Sequence, residues 1–148
     1  MRTLFDTQCR AAVLARLGDL RPEQPARWGQ MNAPQMLAHL GDMMRLTLGD
    51  ALCCPRPSRL RYPGLKHLAL YVLPWPKGRI QGPPEAFKTT ATSWSLDLAA
   101  LDALVGRFIT RGSSGTWPEH PLFGPLSGPA WGVFHYRHFD HHLRHFGG

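Results

Sequence analysis

The stretch WGVFHYRHFDHHLRHFGG, residues 131–148, carries five of the chain's eight histidines between His135 and His145. They are interleaved with aromatic residues rather than run together, so the segment does not read as a purification tag. On a helical wheel with Trp131 at the origin, His135, His138, His142 and His145 fall within about 40° of it, while Arg137, Asp140 and Arg144 gather at about 180–240°. The histidines share the apolar face and the charges take the opposite one.

A buried imidazole with nothing to bond costs about 1–3 kcal/mol. Several on one stripe would use up much of a domain's stability of about 5–15 kcal/mol. Protonation offers no escape, because mutual repulsion would add to desolvation. A shared metal ion resolves the conflict. His138 and His142 are one turn apart, close enough to reach one ion. An HxxxH pair alone is weak, and a third inward histidine strengthens it: His39 shares a helix face with Met36, Met43 and Leu46, away from Arg45. Three imidazoles leave a coordination position for water or substrate, and nitrogen ligands suit Zn, Ni, Fe or Cu. The competing reading makes His39 a satisfied core histidine and the C-terminal set a polar helix edge.

Outward from that stretch, four segments carry helical periodicity. Residues 3–18 place Leu4, Ala11, Ala12, Leu14 and Leu17 on one side and stop at Gly18. In 32–49 Asn32 caps with Gln35 three residues on, Pro34 lies in the first turn and Gly49 ends the helix. Residues 93–112 put Leu101, Leu104, Val105, Phe108 and Ile109 on one buried stripe before Gly112. The fourth opens after Ser127 and runs to Gly147. With no convincing strand, the fold class is all-α, a helix bundle. The connection 50–92 is rich in proline and contains LRYPGLKHLALYVL, a short extra helix stopped by Pro74; its length favours a crossover between parallel neighbours over a bare loop. Residues 113–127 read as an ordered loop pinned by Trp117 and Phe123.

The chain has 148 residues, which predicts one domain, 1–148, with enough core to stand without staples. Cys9, Cys53 and Cys54 have no framework spacing, which points to ordinary thiols in a reducing compartment. No window is apolar enough for a membrane span, and Asp6, Arg10 and Arg16 break up any signal peptide, so a soluble cytoplasmic protein without membrane attachment is expected. The net charge of +7 is local. Residues 56–88 hold Arg56, Arg59, Arg61, Lys66, Lys77, Arg79 and Lys88 against Glu85 alone, whereas the remainder is balanced, which argues against nucleic acid as a partner. A solvated face is the commoner use of such a patch. His120 is expected to anchor its turn, His67 to lie at the surface, and Trp28, Trp94 and Trp131 to serve the core.

The segments MLAHL at 36–40, HPLFGPLS at 120–127 and WGVFHYRHFDHHLRHFG at 131–147 resemble an uncharacterised branch of the DinB/YfiT-like superfamily of metal-binding four-helix bundles. The resemblance covers nearly the whole chain, and its closing motif is the most specific part. It implies an up-down-down-up bundle with a long link between the second and third helices. It also implies a divalent metal ion (Zn, Ni or Fe) on one histidine of the second helix and an HxxxH pair on the fourth, here His39, His138 and His142, the three that the wheel selects. Where that pattern has Gln this chain has His145, expected either to support the ligands, to replace one or to shuttle protons, or simply to cap the last carbonyls. The resemblance implies a metal-dependent thiol transferase or hydrolase acting on a small molecule, with an anionic thiol, recognised by the basic segment, as one substrate class. The alternative is a non-enzymatic metal-binding or stress-response protein. Asp42 is the nearest candidate base, and pairing through exposed helix faces into a homodimer stays open.

Overall fold

The computed structural model describes residues 1–77 and 82–148. The described residues are helical and contain no strand, only an isolated bridge between His120 and Gly124. Helix α1 spans Thr7–Gly18, α2 Ala33–Leu48, α3 Pro63–His67, α4 Trp94–Arg111 and α5 Gly128–His145. None of them is long and apolar enough to cross a membrane.

Local chemistry sets most of the ends. Asn32 accepts from the Gln35 amide at 2.8 Å while the Gln35 side chain accepts from the Asn32 amide at 3.0 Å, a complete capping box for α2. Gly49 closes the same helix at φ 77°, a left-handed value at which a side chain is strained. Ser127 caps α5 through the Ala130 amide. The expected start of α1 at residue 3 moves to Thr7, because Asp6 Oδ1 accepts from the Cys9 amide at 2.7 Å and Leu4 and Phe5 lie in a turn closed by the Asp6 amide on the Thr3 carbonyl at 3.2 Å. Val13 and Leu17 are the buried residues of α1; Ala11 and Ala12, read as inward, are exposed.

The stripe expected on α4 is buried at Leu101, Leu104, Val105 and Phe108, each contributing about 1.5–3 kcal/mol by leaving water. Helix α2 is buried on nearly every side and lies at the centre of the molecule, as its all-round apolar character requires. Its neighbours are read from specific bonds. Thr47 Oγ1 lies 2.8 Å from His135 Nε2 on α5, Asp50 just beyond α2 pairs with Arg107 on α4 at 2.7 Å, and Arg111 donates to the Leu48 carbonyl at 3.0 Å. Arg16 of α1 pairs with Asp140 of α5 at 2.8 Å.

The chain ahead of α1 lies directly on α5: the Leu4 amide donates to the Gly132 carbonyl at 3.1 Å. A Cβ on Gly132 would meet Thr3 Oγ1 at 2.3 Å and the Phe5 ring at 2.5 Å. Gly132→Ala is therefore expected to destabilise despite the roughly 1 kcal/mol that alanine gains in a helix, with a net cost of about 1–2 kcal/mol. Chemical denaturation checks it; a gain in stability would mean that residues 3–5 do not pack there.

The connection between α2 and α4 is structured where it is described. After α3 the chain continues as a π turn over Leu68–Val72 and stops before Pro74. Arg137 of α5 reaches into this turn and donates to the carbonyls of Ala69 at 3.1 Å and Leu70 at 2.7 Å, and also to that of Leu73. It thereby serves carbonyls left unpaired at a helix end. A short 3-10 turn, Pro84–Phe87, then packs against α2. The loop before α5 is ordered around Phe123 and Trp117, as expected: Trp117 lies 4.8 Å from the Phe108 ring, and His120 and Gly124 exchange two backbone bonds at 2.8 and 2.9 Å.

Candidate metal centre

Helix α2 presents His39, and α5 presents His138 and His142, to one point inside the molecule. All three are buried, at 5 %, 7 % and 9 % exposure. His39 Nε2 and His142 Nε2 lie 3.0 and 3.1 Å from His138 Nε2, and the three ligand nitrogens fall within 4.8 Å of one another. Tetrahedral ligands about 2.0–2.1 Å from a zinc ion stand about 3.3 Å apart, so a small outward adjustment would seat one.

The proton count shows why this arrangement wants a cation. His39 Nδ1 lies 2.8 Å from the Ala86 carbonyl, which can only accept, so Nδ1 carries the proton and Nε2 offers a lone pair. Two more Nε2 atoms face it. A proton on His138 Nε2 can serve only one of its two neighbours well and leaves Nδ1 of His138 without a partner; Nδ1 of His142 has none either. Each buried group left so costs about 1–3 kcal/mol. Adding protons worsens matters, because burial, followed by the neighbouring imidazoles, pushes His138 and His142 well below the ordinary histidine value. Burial also lowers His39, against the Ala86 bond. Three imidazole nitrogens converging in a buried site form a donor set able to hold a divalent ion once Nδ1 of each ring carries the proton.

The chain has no match among protein-family models, curated proteins or solved structures. The residues themselves therefore carry the functional reading.

The other histidines have separate duties. His145 stacks on Trp28 at 5.0 Å and donates Nε2–H to the Trp28 carbonyl, which ties the α1–α2 connection to the end of α5; its ring centroid is 6.4 Å from that of His142. That commitment favours a role in holding the backbone over one as a ligand. His135 is fully buried, donates to Thr47 Oγ1 and stacks on Trp131 at 5.5 Å. His120 anchors its turn: Nδ1 accepts from the amides of Leu122 at 3.1 Å and Phe123 at 3.2 Å. Burial pushes both His120 and His135 down to about 3, so they are neutral rings. His67 is exposed, as expected. Trp131 is buried, and Trp28 and Trp94 are half-buried.

Asp42 is not free to act as a base. It accepts from the Thr89 amide at 2.8 Å, from the Thr89 hydroxyl and from Arg45 at 3.1 Å, and so pins the end of the long connection onto α2. The basic segment is similarly engaged. Arg56 pairs with Glu85 at 3.2 Å and Arg61 with Glu119 at 2.7 Å, Lys66 donates to the Pro125 carbonyl at 3.0 Å, and Lys77 sits 4.6 Å over the Trp28 ring. Arg79 lies outside the described residues. All three cysteines are free, and burial together with Glu85 raises the Cys53 thiol to about 11, so it stays protonated near neutral pH.

The three histidines border a cavity of about 410 Å³ walled by Trp75, Phe87, Phe123 and Phe134, among others. Phe87 stacks on His39 at 4.5 Å and Phe134 on His138 at 5.5 Å, which holds both rings in place. Sequence reasoning missed Trp75, Ala86 and Phe87. They come from the connection, where no periodicity marks an inward residue.

Proposed function

We propose that the chain is a divalent-metal-binding protein of the DinB/YfiT-like kind, with His39, His138 and His142 as ligands and an open position used to activate a water or a thiol. The observation that carries this reading is the convergence of three imidazole Nε2 atoms at the edge of a cavity large enough for a small molecule. A divalent ion there would supply Lewis acidity, bringing the pKa of a water or thiol toward neutrality.

The helix contacts support an up-down-down-up four-helix bundle. Leu4 meets Gly132 and Arg16 meets Asp140, so α1 and α5 advance together. Gly41 lies beside Leu104 and Leu48 bonds Arg111, so α2 and α4 advance together. His39 meets His138 whereas Thr47 meets His135, so α2 opposes α5.

The chain's own residues would orient and desolvate. The Ala86 carbonyl and Phe87 fix the His39 ring, Phe134 backs His138, and the aromatic walls keep bulk water from a bound substrate. With Asp42 engaged and no carboxylate lining the cavity among the described residues, the proton removed from a water or thiol passes to solvent or substrate.

A closed, structural ion is the second reading, and the cavity beside the ligands speaks against it. Elemental analysis of protein purified without added metal, with His142→Ala in parallel, tests the assignment. About one ion per chain is expected in the natural protein, with affinity lowered at least 100-fold in the variant. Equal metal content in both would remove the site. Turnover of model electrophiles with common cellular thiols then separates catalysis from storage or sensing.

A further inference from the structure

The cavity next to the three histidines differs from its surroundings in charge. Although the chain is strongly basic, no Lys, Arg, Asp or Glu lines this cavity among the described residues. The polar side chains it does have are histidines, which carry no fixed charge. His120 accepts two backbone amides at Nδ1, so a second proton there would point at donors, and the ring is neutral with its proton on Nε2. The remaining wall is aromatic and aliphatic: Met43, Trp75, Phe87, Leu122, Phe123 and Phe134.

The cations are collected elsewhere. Arg2, Lys77, Arg137 and Arg144 line a second cleft of about 420 Å³ that shares only Pro74, Trp75 and His141 with the first. With no ion bound, an anionic group brought into the histidine cavity would lose its hydration and find no countercharge among the described lining residues, a cost that a neutral molecule of the same shape does not meet. At about 410 Å³ the space is within the range that takes small organic ligands.

We infer that this cavity takes the uncharged, mostly apolar body of a small molecule, presenting it to the three-histidine site, and that without a bound ion it selects against anions of the same shape. As a statement about substrate this rests on the metal reading above; as a statement about binding it does not. The specificity lies in the wall, and Gly82 guards it. A Cβ at Gly82 would stand 3.6 Å from His39 Cε1 and 3.1 Å from the outer edge of the Phe87 ring, a half-exposed side chain that can give way. A branched side chain at 82 therefore fills the space beside His39 while leaving the helices alone.

Two fluorescent probes with one aromatic body separate the alternatives: neutral N-phenyl-naphthylamine and its sulfonated counterpart, anilinonaphthalene sulfonate. Each is titrated into chelator-treated protein, with zinc uptake followed in parallel on separate samples. The neutral probe is expected to saturate at one per chain, at least about tenfold more tightly than the sulfonate, the equivalent of about 1.4 kcal/mol. Gly82→Val is expected to weaken it at least tenfold at an unchanged melting temperature. Leu73→Glu, a half-exposed position on the lining, is expected to weaken it several-fold without touching the core. Equal affinity for the two probes, or neutral binding that both folded variants leave unchanged, overturns the inference. Protein that takes up no zinc yet binds the neutral probe with these preferences supports the cavity assignment and refutes the metal reading instead.

Discussion

Chelator-treated protein is expected to unfold as the pH falls from 6.5 to about 4.5. His39, His120, His135, His138 and His142 are all held below the ordinary histidine value, and burial is the largest cause in each case. In the unfolded chain the same rings take up a proton near pH 6.5. Above that pH both states are neutral and folding carries no penalty from them. Below it the unfolded state holds more protons, so stability falls as the pH falls and continues to fall until the depressed folded values are reached. Each ring that stays neutral in the folded state adds a slope of about 1.4 kcal/mol per pH unit, so the four held furthest down, His120, His135, His138 and His142, give about 5–6 kcal/mol per unit. A stability of about 5–15 kcal/mol is then exhausted within about one to three units. Denaturant midpoints measured between pH 7.5 and 4.5 check this. His135→Gln should flatten the slope by about 1.4 kcal/mol per unit. Stability that stays level from pH 7 to 5 would mean that these rings are not buried as neutral groups.

Zinc added to chelator-treated protein is expected to raise the melting temperature by about 5–15 °C. An ion present at about 100–1,000 times its dissociation constant stabilises the folded state by about 2.7–4.1 kcal/mol, and each kcal/mol moves the transition of a domain this size by about 2–4 °C. His138→Leu provides the decisive comparison. It removes the central nitrogen, the one that both neighbours approach at 3.0 and 3.1 Å, along with an Nδ1 that has no partner. Without metal the variant should stay close to the parent in stability, since relief of the unpartnered Nδ1 offsets the Nε2 partner that His39 and His142 lose. With metal the shift should vanish. An ordinary packing histidine would give the same loss in both conditions, so a loss confined to the metal-loaded protein identifies a metal ligand.

Local signals in the sequence made most of the helices legible. The Asn32–Gln35 box and Gly49 bound α2 by short-range bonds, and the α4 stripe repeats at the helical period, so both could be read without knowing the fold. The start of α1 was misread because Leu4, at 1 % exposure, looks like the first member of a periodic set. It is buried because its turn lies on Gly132, a tertiary contact that no local pattern encodes. The convergence of His39, His138 and His142 was legible because helical spacing puts side chains on faces. What surrounds them was not. The Ala86 carbonyl lies 47 positions from the ring it orients, in a stretch of prolines and short turns where neither the period of a helix nor that of a strand marks the inward residues. The basic excess of that stretch reads as a patch on paper, yet much of it serves internal ion pairs and carbonyls.

The support given to His39 comes from main chain. Because the acceptor is the Ala86 carbonyl, drift in side chains elsewhere in the connection cannot abolish it, and only a change that displaces the backbone at 86 could turn the ring. Position 86 itself is fully enclosed, so bulk rather than polarity should decide which residues it tolerates. His138 and His142 have no such tether at Nδ1. His39 would thus act as a fixed reference, with His138 held by Phe134 on its face alone and His142 left the most freedom to turn toward cations of different radius.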